Sequence, residues 1–283
     1  MQATSALEIR LLFDTDIPSA MRLKEAAGWN QTEGDWRCLL SLQPNGCFGA
    51  VRDGHLVGTT TTTIYGELAW IGMVLVDPQY RRQGIAAQLL TVALDYLSGK
   101  VETIKLDATA LGQPVYGKFG FGVESQIERW TGTAKATGLE ARSVMDHDAV
   151  GDLLELDRLA FNADRSELIE MLIAEACVSP VLIRAADGAL SGYALARSGT
   201  KKTYVGPAVA RAPDLIEILL DQTLNQLAGR EVYLDINREC IVDTTVLSER
   251  GFVKERDLVR MVKGRSSQKT STMIVAIAGP EVG

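Results

Sequence analysis

The stretch with the most chemical content runs from Trp70 to Leu90, WIGMVLVDPQYRRQGIAAQLL. An apolar, strand-like run ends at Val76, Asp77-Pro78 turns the chain, and Arg81-Arg82-Gln83-Gly84-Ile85-Ala86 opens a helix. The first amides of a helix have no internal partners and sit at the positive end of its dipole. Gly84 and Ala86 carry little or no side chain, so a diphosphate can approach the backbone closely. Two arginines add positive charge at the same place. Strand, turn and patterned helix together predict an anion site, although the six-residue pattern alone also fits an ordinary helix start beside two solvated arginines.

The elements that must hold this site follow from periodicity. A short strand (Glu8–Phe13) leads to a helix from about Asp16–Pro18, and a second helix covers Glu33–Leu42. Strands are expected at Cys47–Arg52 and Leu56–Tyr65, joined by the hairpin pair Asp53-Gly54, and at Glu67–Val76. Helix Gly84–Ser98 has apolar Leu89, Leu90, Ala93, Leu94 and Leu97 on one face. Strand Thr103–Asp107, a short helix near Pro114–Phe119 and a last strand or two from Gly122 to Thr131 complete the unit. This is an α/β pattern, a mixed and mostly antiparallel sheet flanked by helices.

The unit occurs twice. Arg10, Asp14, Asp16 and Asn30 recur as Arg142, Asp146, Asp148 and Asn162, with Trp29 matched by Phe161. After a two-residue insertion Asp53-Gly54, Gly58 and Gly72 recur as Asp187-Gly188, Gly192 and Gly206. LDAT from Leu106 and LDIN from Leu234 each precede a Gly-Phe pair. Collinear landmarks imply two tandem domains, 1–134 and 138–283, with a boundary near Gly132–Gly138.

Bulk composition narrows the class. The chain has 283 residues, 46% of them hydrophobic, with 29 basic against 36 acidic side chains and a net charge of −7. An acidic chain without a basic cluster is a poor partner for nucleic acid or anionic membrane. No apolar run reaches the length of a membrane span, and Glu8, Arg10, Asp14 and Asp16 would interrupt a signal-peptide core, so a cytoplasmic location is expected. Four separated cysteines and two histidines predict reduced thiols and no metal site. Oligomeric state is not legible.

Val76-Asp77-Pro78 followed by Tyr80–Ala86 resembles the R/Q-x-x-G-x-G/A motif of the GCN5-related N-acetyltransferases, and Val115–Phe121 (VYGKFGF) resembles their later LYxKxGF motif. The resemblance covers Ile9–Thr131. The stretch Ala27–Trp36 (AGWNQTEGDW) and the C-terminal half look like a tandem subfamily with a diverged second domain. It implies acetyl-CoA as cosubstrate, with its diphosphate on the amides from Arg82 to Ala87 and with Arg81, Gln83, Gly84, Ile85 and Ala86 around it. The pantetheine arm would run along Val74, Leu75 and Val76, in a V-shaped gap between the strands ending at Val76 and Asp107. The Val74 amide would be the oxyanion donor. Tyr116 would protonate the leaving sulfur, or else only pack its ring. An amine must lose its proton before or during attack, yet Trp70–Val76 holds no carboxylate. Asp107 is a candidate base, or a cap for the following turn; Asp35 and Glu67 are expected to be solvated.

The second copy is expected to lack the cofactor, because a displacement of 134 puts Leu215, Ile218 and Leu220 where Arg81, Gly84 and Ala86 stand. Its expected role is to complete the acceptor pocket across the mouth of the first cleft, with Trp29, Asn30 and Tyr204 as candidate acceptor contacts and Thr272–Ala278 as a final strand. The expected activity is acetyl transfer to a small-molecule primary amine. The alternatives are a non-catalytic acyl-CoA sensor, transfer of a longer acyl group, and transfer to a protein amine.

Overall fold

The computed structural model describes residues 6–139, 147–240, 243–265 and 271–283. The repeat landmarks Arg142 and Asp146, and residues 266–270, lie outside the described residues. The first half runs β1 (Glu8–Leu11), α1 (Ile17–Ala27), α2 (Glu33–Leu42), β2 (Cys47–Arg52), β3 (His55–Tyr65), β4 (Leu68–Val76), α3 (Ile85–Leu97), β5 (Thr103–Ala108), α4 (Gln113–Lys118) and β6 (Gly122–Thr133). The second half runs α5 (His147–Phe161), α6 (Ser166–Ala174), β7 (Val181–Arg184), β8 (Leu190–Arg197), β9 (Thr203–Ala210), α7 (Asp214–Gln226), β10 (Glu231–Asn237), α8 (Thr245–Glu249), β11 (Val253–Gly264) and β12 (Ile274–Ala276).

Local chemistry explains the boundaries. Pro18 occupies the first turn of α1, which ends on Gly28 at φ 74°. Asp53 and Gly54 adopt positive φ (51° and 74°), as a tight turn between β2 and β3 requires. Thr32 caps α2 by accepting from the Asp35 amide at 3.2 Å, while the Asp35 carboxylate accepts from the Thr32 amide at 2.7 Å. Asp35 is therefore a capping group, not the solvated carboxylate the sequence suggested. Its other oxygen accepts from Arg197 Nε at 3.1 Å. Glu67 is exposed, as expected.

The mixed sheet flanked by helices is present, but its two copies are joined. One twelve-stranded sheet runs β1-β2-β3-β4-β5-β11-β6-β10-β12-β9-β8-β7. Each half lends its last long strand to the other: β11 lies between β5 and β6, and β6 lies against β10. Directly opposed residues make twin ion pairs across the exchange. Arg260 donates from Nε and Nη2 to both Asp107 oxygens at 2.9 Å. Arg129 donates likewise to Asp235 at 2.7 and 2.5 Å. All four side chains are buried. Withdrawing either strand would strand a buried charge, at a cost of about 3–5 kcal/mol. The aspartates of the repeated LDAT and LDIN are thus the clamps of the exchange.

The core also crosses the halves. Trp36, Leu39, Tyr65 and Trp70 share one cluster with Phe161, Ile169, Leu172 and Tyr193. Phe161 meets Tyr65 edge-on at 5.4 Å and lies 6.3 Å from Trp70. The boundary near residues 132–138 separates sequence repeats, while the sheet and core run across it.

Candidate active site

Beyond Val76 the chain makes a single 3-10 turn, Pro78–Tyr80, capped by the Asp77 carboxylate, which accepts from the Gln79 amide at 3.0 Å. Arg22 of α1 fastens the turn by donating to Asp77 at 2.8 Å and to the Leu56 carbonyl at 2.9 Å. Arg82 and Gly84 then take left-handed φ of 62° and 81°, which swings the chain into α3. Gly84 faces open space where a Cβ would stand. Gln88 donates back to the Gly84 carbonyl at 3.1 Å, so the amides just before it are those of a helix's first turn, with no acceptor inside the helix. Residues 81–84 are exposed and Ile85 is buried beneath them. Arg81 and Arg82 flank a bare-amide turn, which is what an approaching diphosphate needs.

The cleft comes from an incomplete strand pair. β4 and β5 are parallel partners only over Leu68–Trp70 and Thr103–Lys105. Farther on they part, and among the described residues the β5-facing edge of β4 from Ile71 to Val76 has no strand neighbour. On its other edge β4 breaks register with β3 between Gly72 and Leu75, where Met73 has φ 47° and Thr59 Oγ1 donates to its carbonyl at 2.7 Å. Such a bulge bends the strand and re-aims its amides at the mouth of the gap. Val74 sits in this bulge.

A cavity of about 490 Å³, counted with its open mouth, lies in the gap. Gly72, Met73, Val74, Asp107, Tyr116 and Glu281 all line it. Tyr116 projects from the short α4, its ring over Gly112 and 6.2 Å from Phe121. Burial pushes its hydroxyl up to about 12, so the phenol stays protonated through the neutral range. A larger hollow of about 970 Å³ lies at the paired ends of β4 and β5, near Leu68 and Lys105, away from the loop. It is not where the strands open.

The remaining sequence candidates separate. Trp29 lines the cavity. Asn30 does not serve it: its amide group donates to the Lys202 carbonyl at 3.0 Å and accepts from the Lys201 and Lys202 amides at 3.0 and 3.1 Å. Asn30 pins the first half to the loop before β9. Tyr204 is buried and its hydroxyl bonds Asp235 at 3.1 Å and the Ile277 carbonyl at 3.2 Å, beside a separate small cavity. Asp107 reaches the main cavity, but both its oxygens are held by Arg260; burial pushes its pKa up against that pull. The ion pair counts against a base role. Burial also pushes the thiols of Cys38 and Cys47 up to about 12, which disfavours a thiolate nucleophile.

Three charged cavity residues escaped the sequence reading: Arg129, Arg256 and Glu281. Glu281 arrives from the end of the described chain. Its backbone lies against β4 so closely that a Cβ on Gly72 would stand 2.5 Å from the Glu281 carbonyl oxygen. Trp70 Nε1 donates to the Pro280 carbonyl at 3.0 Å and Tyr65 to the Val282 carbonyl at 3.1 Å, which hold this segment in place. The Glu281 carboxylate accepts from Gln31 at 2.8 Å and Arg197 at 3.3 Å, and burial raises its pKa against the pull of Arg197.

The second half shows the same splay without the same site. β9 and β10 pair only over Thr203–Val205 and Val232–Leu234. The gap beyond is filled by β12, which pairs with both strands. The link from β9 to α7 has three residues, 211–213, where the link from β4 to α3 has eight, 77–84. The loop is therefore deleted, and Leu215, Ile218 and Leu220 do not occupy its positions but belong to α7, which packs on β7, β8 and β9. The second half completes the first cleft through β11 and residues 280–281.

Similar proteins share this fold. A family model described as "Acetyltransferase (GNAT) family" matches residues 14–121, and another described as "Acetyltransferase (GNAT) domain" matches 153–275. YitH of Bacillus subtilis, an uncharacterized N-acetyltransferase, is 27% identical over 256 residues, 88% of each chain. YhbS of Escherichia coli, also an uncharacterized N-acetyltransferase, is 35% identical over 94 residues, 30% of this chain and 54% of that protein. A structure from Pyrococcus horikoshii, provisionally described as an acetyltransferase, superposes with TM-score 0.81 at 23% identity, covering 100% of this chain and 98% of that one. A GCN5-related N-acetyltransferase from Sphaerobacter thermophilus gives TM-score 0.67 at 16% identity, covering 91% and 95%. Two successive family matches, and a paired fold in which one cleft is open and the other filled, identify the chain as a tandem-domain acyltransferase of the GCN5-related N-acetyltransferase superfamily.

Proposed function

We propose that the first half transfers an acetyl group from acetyl-CoA directly to the primary amine of a small molecule. One observation carries the reading: the open edge of β4 joins a bare-amide loop at one end to a cavity holding Tyr116 at the other. When bound, acetyl-CoA supplies a thioester carbonyl as electrophile and a thiolate as leaving group. The amides of residues 82–87, with Arg81 and Arg82, would hold the diphosphate, and the edge at Val74–Val76 would align the arm. The Val74 amide would donate to the carbonyl oxygen as charge develops there. Neutral amine forms the new C–N bond as the C–S bond breaks, and Tyr116 gives its hydroxyl proton to the sulfur. Glu281 takes the proton the amine loses, directly or through a water. Its Arg197 partner stands at 3.3 Å and is shared with Asp35, a looser hold than the two 2.9 Å bonds on Asp107. Burial raises its pKa, which strengthens it as a base. Trp29 and residues 280–281 wall the acceptor side, which favours a small acceptor over a protein segment.

A thiol-release assay with a broad amine panel tests this, alongside CoA binding by calorimetry. Acetylation of a small amine is expected. Tight CoA binding with no amine acetylated would favour a sensor.

A further inference from the structure

The charges around the cavity do not balance evenly. Asp107 is matched by Arg260 and Arg129 by Asp235. Arg197 faces two carboxylates, Asp35 at 3.1 Å and Glu281 at 3.3 Å, so that wall holds a surplus of negative charge. Arg256 is the reverse. It lies on β11 directly opposite Arg129, on the same face as Leu258, and lines the cavity with both. The register of β11 against β6 slips between Lys254 and Arg256, a bulge that turns this side chain toward the gap. Its Nε is shut from solvent without a hydrogen-bond partner, and among the described residues no carboxylate lies within ion-pair distance of its guanidinium. The residue as a whole is half-buried, so its guanidinium is open to the cavity while its shut-off Nε carries an unmet donor that a ligand could satisfy.

We infer that Arg256 is a specificity residue that receives a carboxylate on the acceptor, so that the substrate class is amines bearing a carboxylate, amino acids among them. The inference rests on the reading of this cleft as the acceptor site. One unmatched guanidinium fits a planar monoanion through its fork, whereas a phosphate of nearly double charge would ask for more positive charge than the cavity holds. The surplus carboxylate at Glu281 suits the other end, where the ammonium group must come to lose its proton. Burial and the neighbouring Arg129 outweigh the more distant pull of Asp235 and Glu255 and hold the Arg256 pKa below its ordinary value.

The test uses matched pairs that differ only by the carboxylate: β-alanine and ethylamine, lysine and cadaverine, tyrosine and tyramine, tryptophan and tryptamine. Each is titrated by calorimetry into the intact protein loaded with CoA, and assayed for thiol release with acetyl-CoA. In at least one pair the carboxylate member should bind about tenfold to hundredfold more tightly than its partner. Arg256→Gln should erase that margin, Arg256→Lys should restore part of it, and both variants should keep CoA affinity, which shows that they fold. The inference is overturned if every decarboxylated amine binds as well as its partner, if no member of any pair binds, if Arg256→Gln keeps the margin, or if phosphoethanolamine outcompetes all carboxylates. Binding with the predicted margin but no thiol release would sink acetyl transfer while leaving the carboxylate site standing.

Discussion

Replacing Tyr116 by Phe should slow turnover about a hundredfold or more while leaving the fold and CoA affinity nearly intact. Proton donation by a placed side chain contributes about 10²–10⁴ in rate, or roughly 2.7–5.5 kcal/mol of barrier. Phe keeps the ring packing over Gly112 and the contact with Phe121 at 6.2 Å. Among the described residues the hydroxyl bonds to no protein group, and it is not sealed from solvent, so its removal should cost the folded state no more than about 0.5 kcal/mol. A ground-state bond to the sulfur is worth about 0.5–1.5 kcal/mol, so CoA affinity should shift by less than roughly tenfold. pH adds a second arm. An acid must be protonated to work, and Tyr116 is pushed up to about 12, so its ionisation should not curtail the wild-type rate below about pH 11. Steady-state kinetics and calorimetry on both proteins decide the matter. Undiminished kcat, or a loss of kcat matched by an equal loss of CoA affinity, refutes the acid role.

Other consequences separate the loop, the wall and the clamps. Gly84→Glu forces a side chain into a φ of 81°, at about 1–2 kcal/mol, and sets a carboxylate beside the diphosphate; CoA affinity should fall at least about a hundredfold with the circular dichroism unchanged. Gly72→Ala sets a methyl 2.5 Å from the Glu281 carbonyl oxygen, so residues 280–281 must move, and amine turnover should drop more than CoA affinity does. Arg260→Met leaves Asp107 buried without its partner and should lower unfolding stability by about 3–5 kcal/mol in urea titrations; a change under about 1 kcal/mol would deny the clamp. A base works only when deprotonated, so kcat/KM should rise with pH through a pKa above the ordinary glutamate range, held there by burial against Arg197, with Asp35 and Gln31 alongside. Glu281→Gln should remove that limb, and its survival would move the base elsewhere.

Much of the first half could be read from short-range pattern. Helix Glu33–Leu42 and strand Cys47–Arg52 stand where the short-range pattern puts them, because capping pairs and turn residues are local signals. The loop from Asp77 to Gly84 was legible for the same reason. What escaped depends on distant residues meeting. Gln31 and Glu281 bond across 250 positions, and no local rule announces such a contact. The strand exchange left one faint trace: Arg260 interrupts the apolar run Leu258–Val262 of a last strand, opposite the aspartate of LDAT. The recurrence of Gly72 and Gly206 was seen, but its cause was not. Each lets the C-terminal segment pass closely, Glu281 over Gly72 and Ile277 over Gly206. The missing loop of the second half was also misplaced, because a fixed displacement cannot show a five-residue deletion.

Counting coenzyme binding bears most directly on the claim that one cleft is open and its twin is filled by β12. Titration of the intact chain with CoA by calorimetry should give one site per chain, and Gly84→Glu should abolish it. Two equivalent sites, or one that survives that substitution, would contradict the account.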